Sequence, residues 1–173
     1  MPNTIPLPGL ALTLLVALTT PLLAAPEDTS EAHAVCECPE GIELQGRPWV
    51  RMMPPGMPST AAYLTLRNNT ARDVEIVSGA SPVAATTELH DHIEDEHGVM
   101  RMREVGSITI PANGQVKLQP GGLHVMLIDL HSPLETGRQV PLQLELEGLG
   151  TLRLQAEVRD AEHPGMGGHH HRH

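Results

Sequence analysis

Apolar and polar residues alternate along short segments of this chain between Trp49 and residue 158, and turn-forming residues separate the segments. The segments AAYLTLRNN, VPLQLELEGLG and TLRLQAEV alternate most clearly, while LHVMLIDL is apolar throughout. A period of two is typical of strands that bury one face, and no long segment has the 3.6-residue period of an amphipathic helix. The pattern therefore predicts an all-β domain over residues 47–160, an antiparallel sandwich or barrel.

The same pattern predicts several further strands in WVRMM, DVEIVSGA, TTELHDH and GVMRMREV. The segment SITIPANGQVKL reads as two strands on either side of an Asn-Gly turn at residues 113–114. A chain of 173 residues is long enough for one domain of common size with tails at both ends.

Composition narrows the function classes. The net charge of −10 argues against nucleic-acid binding, which needs a basic surface. With one Trp, one Tyr and no Phe, the core must consist of aliphatic side chains and Met. The 11 His and 8 Met residues are all capable of binding a metal, so their positions matter more than their number.

The N-terminal residues 1–25 are predicted to be a signal peptide. Residues 6–25 are apolar and uncharged, and they end in two alanines before the polar segment PEDTS. The mature chain is then exported to the periplasm, with cleavage near Ala24 or Ala25. A retained segment would instead tether the protein to the membrane.

Residues 26–46 are polar and are predicted to be a flexible leader. The leader carries the only two cysteines, Cys36 and Cys38. Cysteines at this spacing can close only a very small disulfide ring, or they can hold a soft metal ion as thiolates. A dithiol role and a mobile leader in which they do neither remain open alternatives.

Three pairs of metal-binding side chains occur at a spacing of two residues, which places both members on one face of a strand. The pairs are His90 with His92, Met100 with Met102, and His124 with Met126. Thioether sulfur is a poor ligand for Zn²⁺ and for hard cations but suits Cu(I). The alternative is that Met fills gaps in the core and His lies on the surface of a metal-independent β-sandwich interaction module.

Residues 48–148 resemble the periplasmic copper chaperone family PCuAC. The resemblance rests on WVRMMPPGMPSTAAYLTLRN, SPVAATTELH, GVMRMREV, IPANGQVKLQPGGLHVMLIDL and VPLQLELE. Its most specific part is a Met followed after 21 residues by His-x-Met, which Met102, His124 and Met126 reproduce. In this family a His precedes the Met by ten intervening residues, whereas His90 precedes Met102 by 11. The extra residue is placed in the turn around EDEHG, which leaves His90 as the first ligand and His92 as its competitor.

The resemblance implies a cupredoxin-like Greek-key fold and Cu(I) as the bound metal. It implies delivery of copper to an acceptor, either the CuA domain of cytochrome c oxidase or another copper chaperone. The ligands it implies are His90, Met102, His124 and Met126, with His92, His97 and Met100 as reserve candidates.

No enzymatic activity and no small-molecule substrate are predicted, because the chain shows no nucleophile–base pair and no substrate pocket. Electron transfer is also disfavoured, since blue-copper sites use a Cys thiolate and residues 47–160 contain no Cys.

Residues 161–173 form a His-rich tail that cannot pack a core. Flexible imidazoles can bind Cu(II), so the tail is a candidate secondary site, together with Cys36 and Cys38. Its candidate ligands are His163, Met166, His169, His170, His171 and His173. Such a tail slightly favours a copper buffer or resistance protein as the alternative to a chaperone.

Overall fold

A computed structural model of the protein describes residues 36–160, which contain eleven strands and no helix. No segment of that range is thus a helix that could cross a membrane. The predicted signal peptide and the His-rich tail lie outside these residues. The strands are β1 (Cys36–Glu37), β2 (Ile42–Arg51), β3 (Thr60–Asn68), β4 (Val74–Ala80), β5 (Ala84–Glu94), β6 (Met100–Glu104), β7 (Ile108–Ile110), β8 (Gln115–Leu118), β9 (His124–Leu130), β10 (Gln139–Leu146) and β11 (Gly150–Arg159).

Nine of these strands form one hydrogen-bonded path in the order β6-β5-β9-β3-β2-β11-β10-β4-β7. Off this path, β1 pairs with β11 and β8 pairs with β3. Every pair is antiparallel except β2 with β11, which is parallel. The prediction of an all-β, essentially antiparallel fold is confirmed.

A single aliphatic core lies inside this folded sheet. Every strand except β1 and β6 contributes buried apolar side chains to it. In β10, for example, Leu142, Leu144 and Leu146 point inward while the Gln and Glu residues between them face solvent. The clean alternation seen in the sequence thus marks the strands that close over the core.

The Asn-Gly turn forms as expected, but it does not join a hairpin. Gly114 donates a backbone hydrogen bond to Pro111 at 3.0 Å, and Asn113 adopts a φ of 53°, a conformation that Asn tolerates better than most residues. The strands on either side pair with different neighbours, β7 with β4 and β8 with β3. The turn therefore carries the chain from one part of the sheet to another.

The predicted flexible leader is wrong from residue 36 onward. Cys36 lies opposite Leu154 in the ladder between β1 and β11, and β2 begins at Ile42, which is buried in the core. The polar residues that suggested a linker occupy outward-facing positions, where strands also carry polar side chains. The β domain therefore includes residues 36–46.

Candidate metal site

Three adjacent strands, β9, β5 and β6, bring four of the predicted ligands onto one face. His90 lies directly opposite His124 in the ladder between β5 and β9. His92 lies directly opposite Met102 in the ladder between β5 and β6. Directly opposed residues project to the same face of a sheet, as do residues two apart on one strand. The four side chains therefore form one cluster.

This cluster lies on the outer face of the sheet. The residues that alternate with it, Leu89 on β5 and Val125 on β9, oppose each other and are buried in the core. Met126 shares the outer face with His124, two residues away, and lies opposite Glu88 on β5. The period-two spacing seen in the sequence thus separates core residues from candidate ligands on the same strands.

His124 has the most constrained geometry of the cluster. It is 2% exposed, its Nδ1 lies 2.8 Å from the carbonyl oxygen of Gly122, and its Nε2 lies 3.1 Å from Sδ of Met102. Because a carbonyl oxygen can only accept, Nδ1 carries the proton and Nε2 presents its lone pair to the sulfur. Burial lowers the pKa of His124, and the nearby His92 and His90 add to this, although the hydrogen bond to Gly122 opposes it. The ring is thus held in the neutral form that binds metals.

His90 is held by a side chain rather than by the backbone. Its Nε2 lies 2.7 Å from Oε2 of Glu88, and the centre of its ring lies 5.7 Å from that of His124. Its Nδ1 is buried and has no hydrogen-bond partner among residues 36–160. A buried polar atom without a partner is costly, so this nitrogen is a candidate ligand atom.

His92 also approaches the cluster. The centre of its ring lies 5.2 Å from that of His124, and its Nδ1 lies 3.3 Å from the same Gly122 carbonyl oxygen. Proximity to His124 therefore does not decide whether His90 or His92 is the first ligand. The two differ in that, within the part of the chain that the structure describes, the buried nitrogen without a hydrogen-bond partner belongs to His90.

The remaining candidates lie at different distances from this cluster. Met126 is partly exposed beside it, and Met100 shares a face with Met102 but lies opposite Glu94, one step nearer the hairpin turn. Met100 is 53% exposed, so it does not fill a gap in the core. His97 lies in the exposed turn between β5 and β6. The six candidates of the tail are outside the described residues.

Sequence reasoning missed Glu88, Gly122 and Tyr63. Glu88 could have been found from the spacing Glu-x-His-x-His, which places it on the ligand face of β5. Tyr63 stacks on Trp49 with ring centres 4.5 Å apart, and its ring centre lies 6.3 Å from that of His124. Of the chain's only two residues of the Phe, Trp and Tyr types, Tyr63 therefore lies near the candidate ligand His124, and Trp49 stacks on it.

The prediction that Cys36 and Cys38 form a soft metal site is wrong for this structure. The two sulfurs are bonded to each other as a disulfide, with α-carbons 5.3 Å apart. Each sulfur is consequently unavailable as a thiolate ligand. Cys36 lies opposite Leu154 of β11, and both cysteines pack against the core.

The donor set suits a soft metal ion. Within the described range, no three side chains of the His, Cys, Asp and Glu types are placed to hold a metal together. A soft metal ion in this cluster would be bound by thioether sulfur together with imidazole nitrogen. Nε2 of His124 and Sδ of Met102 are both electron-pair donors with no proton between them, and a soft cation bound by both would compensate their mutual repulsion.

Residues 45–158, more than half of the chain, match the family model described as "Putative lipoprotein LpqE-like". The chain belongs to the LpqE-like family. A relative of this LpqE-like chain, "Putative lipoprotein Lxx21020" of Leifsonia xyli subsp. xyli (strain CTCB07), is 30% identical over 122 residues. The match covers 70% of this chain and 71% of the relative.

Solved structures share the fold of this LpqE-like chain. The apo PCuAC domain of PmoF1 matches with a TM-score of 0.63 at 20% identity, over 73% of this chain and 99% of that one. The copper-bound PCuAC domain of PmoF2 matches with a TM-score of 0.62 at 21% identity, over 73% and 98%. CuI-DR1885 from Deinococcus radiodurans is 31% identical over 77% of this chain and 85% of that one, with a TM-score of 0.55. The predicted cupredoxin-like fold of PCuAC domains is confirmed.

Proposed function

We propose that this protein is a copper chaperone that binds Cu(I) through His90, Met102, His124 and Met126. The observation that carries the proposal is the 3.1 Å approach of His124 Nε2 to Met102 Sδ, with the proton of the ring on Nδ1. Imidazole and thioether ligands together favour Cu(I) over Zn²⁺, Mg²⁺ and Ca²⁺. The solved relative from Deinococcus radiodurans, which is described as a CuI form, supports this choice of metal.

Delivery requires that a partner can reach the metal. Met102 is 47% exposed, and the β5–β6 hairpin that carries it also exposes Ile93, Val99 and Met100. Residues 88–104 contain six acidic side chains and two arginines. A partner with a basic rim around an apolar copper site would complement this surface.

The acceptor would take copper by stepwise ligand exchange, in which its stronger thiolate ligands replace the exposed thioether of Met102 before the buried His124. We propose that the acceptor is a CuA domain of cytochrome c oxidase or another copper chaperone. The role is transfer of a metal between proteins and not catalysis.

X-ray absorption at the copper edge tests the metal site. The sample is the chain ending before His163 and loaded with Cu(I), because removal of the tail keeps its imidazoles from contributing to the spectrum. We expect one copper per chain in a mixed shell of sulfur and nitrogen scatterers. A shell of nitrogen and oxygen alone, or no stoichiometric binding, would refute the proposed site.

A copper buffer or resistance protein is the second candidate, and the His-rich tail of residues 161–173 favours it. Transfer experiments separate the two functions. A chaperone should load an apo CuA domain faster than free chelated copper does and should not load unrelated apo proteins. A buffer should lose copper to every acceptor according to affinity alone. A metal-independent interaction module would keep its partner binding after the combined substitution of Met102→Leu and His124→Ala.

We also propose that the protein works outside the cytoplasm. The apolar segment before residue 26 and the names of the family and of its Leifsonia relative, both described as lipoproteins, support export. The disulfide between Cys36 and Cys38 fits an oxidising compartment. In this bonded form neither cysteine sulfur is free to carry a lipid, so an exported chain without a lipid anchor is the form we propose.

A further inference from the structure

Glu88 precedes His90 by two residues on β5 and shares its outward face. Its Oε2 lies 2.7 Å from Nε2 of His90, a distance typical of a charge-assisted hydrogen bond. The side chain of His90 is only 11% exposed, whereas that of Glu88 is 29% exposed. The carboxylate thus reaches from the edge of the cluster to a ring that is nearly buried.

The hydrogen bond determines which nitrogen of His90 is free. An ionised carboxylate only accepts hydrogen bonds, so Nε2 of His90 carries the proton. In the neutral ring, Nδ1 then holds the lone pair, and this is the atom that is buried without a partner among the described residues. The ordinary solutions for such an atom are a bridging water, a donor side chain or a metal ion.

We propose that Glu88 is a positioning residue that fixes His90 as an Nδ1 ligand of copper. The inference rests on the proposed function and adds an asymmetry to it. His124 would bind through Nε2, because the backbone carbonyl of Gly122 holds its Nδ1. His90 would bind through Nδ1, because a side chain holds its Nε2.

The asymmetry has a physical consequence. The ring of His124 is oriented by a backbone group that no side-chain substitution removes. The ring of His90 depends on one carboxylate, which orients the ring and makes its other nitrogen a stronger donor. His92 is not placed to bind through Nδ1 in this way, because its own Nδ1 faces the Gly122 carbonyl oxygen at 3.3 Å.

The chain offers a matched control in Glu104. This residue lies directly opposite His90 on β6 and is exposed, so its carboxylate is at a comparable position on the other side of the histidine. It makes no hydrogen bond to His90 in the described structure. Glu88→Gln and Glu104→Gln therefore remove the same charge beside the site, but only the first removes the carboxylate that holds the ring.

The experiment records the ring nitrogens of His90 and His124 in ¹⁵N-labelled intact chain by long-range ¹H–¹⁵N NMR, before and after addition of Cu(I) with a competing chelator. In the unsubstituted protein and in Glu104→Gln, we expect His90 to carry its proton on Nε2 and to shift at Nδ1 on binding. His124 should shift at Nε2. In Glu88→Gln we expect a mixture of His90 tautomers and about tenfold weaker Cu(I) binding at this site.

A Cu(I)-induced shift at Nε2 of His90 would overturn the inference, and so would equal behaviour of the two Gln variants. Either result would leave the proposed function intact if His124 still shifts. The absence of Cu(I)-induced shifts at both histidines of the unsubstituted protein would instead refute the proposed function. Thermal unfolding of both variants checks that the partly exposed position 88 tolerates Gln without loss of the fold.

Discussion

Two antiparallel hairpins of this fold, β10–β11 and β5–β6, differ in what their side chains bury. In β10–β11 the apolar residues alternate with polar ones, and the inward-facing ones, such as Leu144 and Leu152, are completely buried. In β6 all five residues are exposed, and Met100 and Met102 are among the most exposed apolar side chains of the described residues. Hydrophobic burial accounts for the sequence of the first hairpin but not for that of β6.

The difference between the hairpins bears on whether the exposed methionines of β6 fill gaps in the core. A methionine that fills a gap in a core is surrounded by apolar neighbours and contributes to stability. Met102 has solvent on one side and the ring nitrogen of His124 on the other. Gap filling therefore does not explain its presence, whereas the proposed role as a copper ligand would.

The largest expected effect on stability comes from the buried hairpin. Replacement of Leu144 by Ala removes a completely buried side chain and should lower the free energy of unfolding by about 2–5 kcal/mol. Cu(I) affinity below the unfolding transition should not change, because Leu144 lies on β10, which pairs with β11 and β4 and not with the strands that carry the candidate ligands. Denaturant titration and a chelator competition on the same sample measure both quantities, and a parallel loss of affinity would show that the two hairpins are coupled.

For Met102→Leu we expect a loss of Cu(I) affinity with little change in stability. Leu has nearly the volume of Met, and the site is half exposed, so the free energy of unfolding should change by less than about 1 kcal/mol. Cu(I) binding should weaken by at least about tenfold, which corresponds to about 1.4 kcal/mol. Met57→Leu is the matched control, because Met57 is exposed to nearly the same extent but lies in the loop between β2 and β3. Equal affinities of the two variants would remove Met102 from the site.

The comparison also shows how far the sequence could predict the molecule. The period of two predicted the strands and the face on which His124, Met126, Met102 and His90 lie, because face is a local property of a strand. It did not predict which strands pair, since the Asn-Gly turn that suggested a local connection leads β7 and β8 to separate partners. Strand partners depend on long-range packing that a local pattern does not contain.

Two details of the site were also beyond the sequence. The ring nitrogen that each histidine presents depends on its side-chain rotamer, which brings His124 to the Gly122 carbonyl and His90 to the Glu88 carboxylate, each two residues away along the chain. A period of two gives the face of a strand but not the rotamer of a side chain. The bond between Cys36 and Cys38 was one of several open alternatives, and the pairing of β1 with β11 could not be read from two residues.

Met100→Leu tests whether exposure alone makes a methionine a ligand. Met100 lies on the same face as Met102 but opposite Glu94, whereas the sulfur that approaches His124 is that of Met102. Cu(I) affinity should change by no more than about twofold, because surface substitutions away from specific contacts stay within about 0.5 kcal/mol. The same chelator competition used for Met102→Leu measures it. A loss as large as that of Met102→Leu would place Met100 in the site.

The smallest expected effect concerns the turn that closes the β5–β6 hairpin. Oδ1 of Asp95 accepts hydrogen bonds from the backbone N–H groups of His97 and Val99, both at 3.0 Å, and Oδ2 accepts one from Nε of Arg101 at 2.6 Å. The bond from Arg101 is the main reason that the pKa of Asp95 lies below its ordinary value of 3.8. A group whose pKa is depressed by folding stabilises the fold above its unfolded pKa, and this contribution disappears as the pH falls through the lower folded value.

The turn should therefore keep its hydrogen bonds at neutral pH and lose them only below about pH 3.8. In an NMR titration of the apo protein, the amide signals of His97 and Val99 should move together with a midpoint under that value. Amides of β10–β11 should stay in place over the same range. Asp95→Asn keeps an oxygen for the two amides but has no charge to titrate, so its amide signals should not show this transition. A midpoint at or above 3.8 would mean that Arg101 does not hold the carboxylate of Asp95.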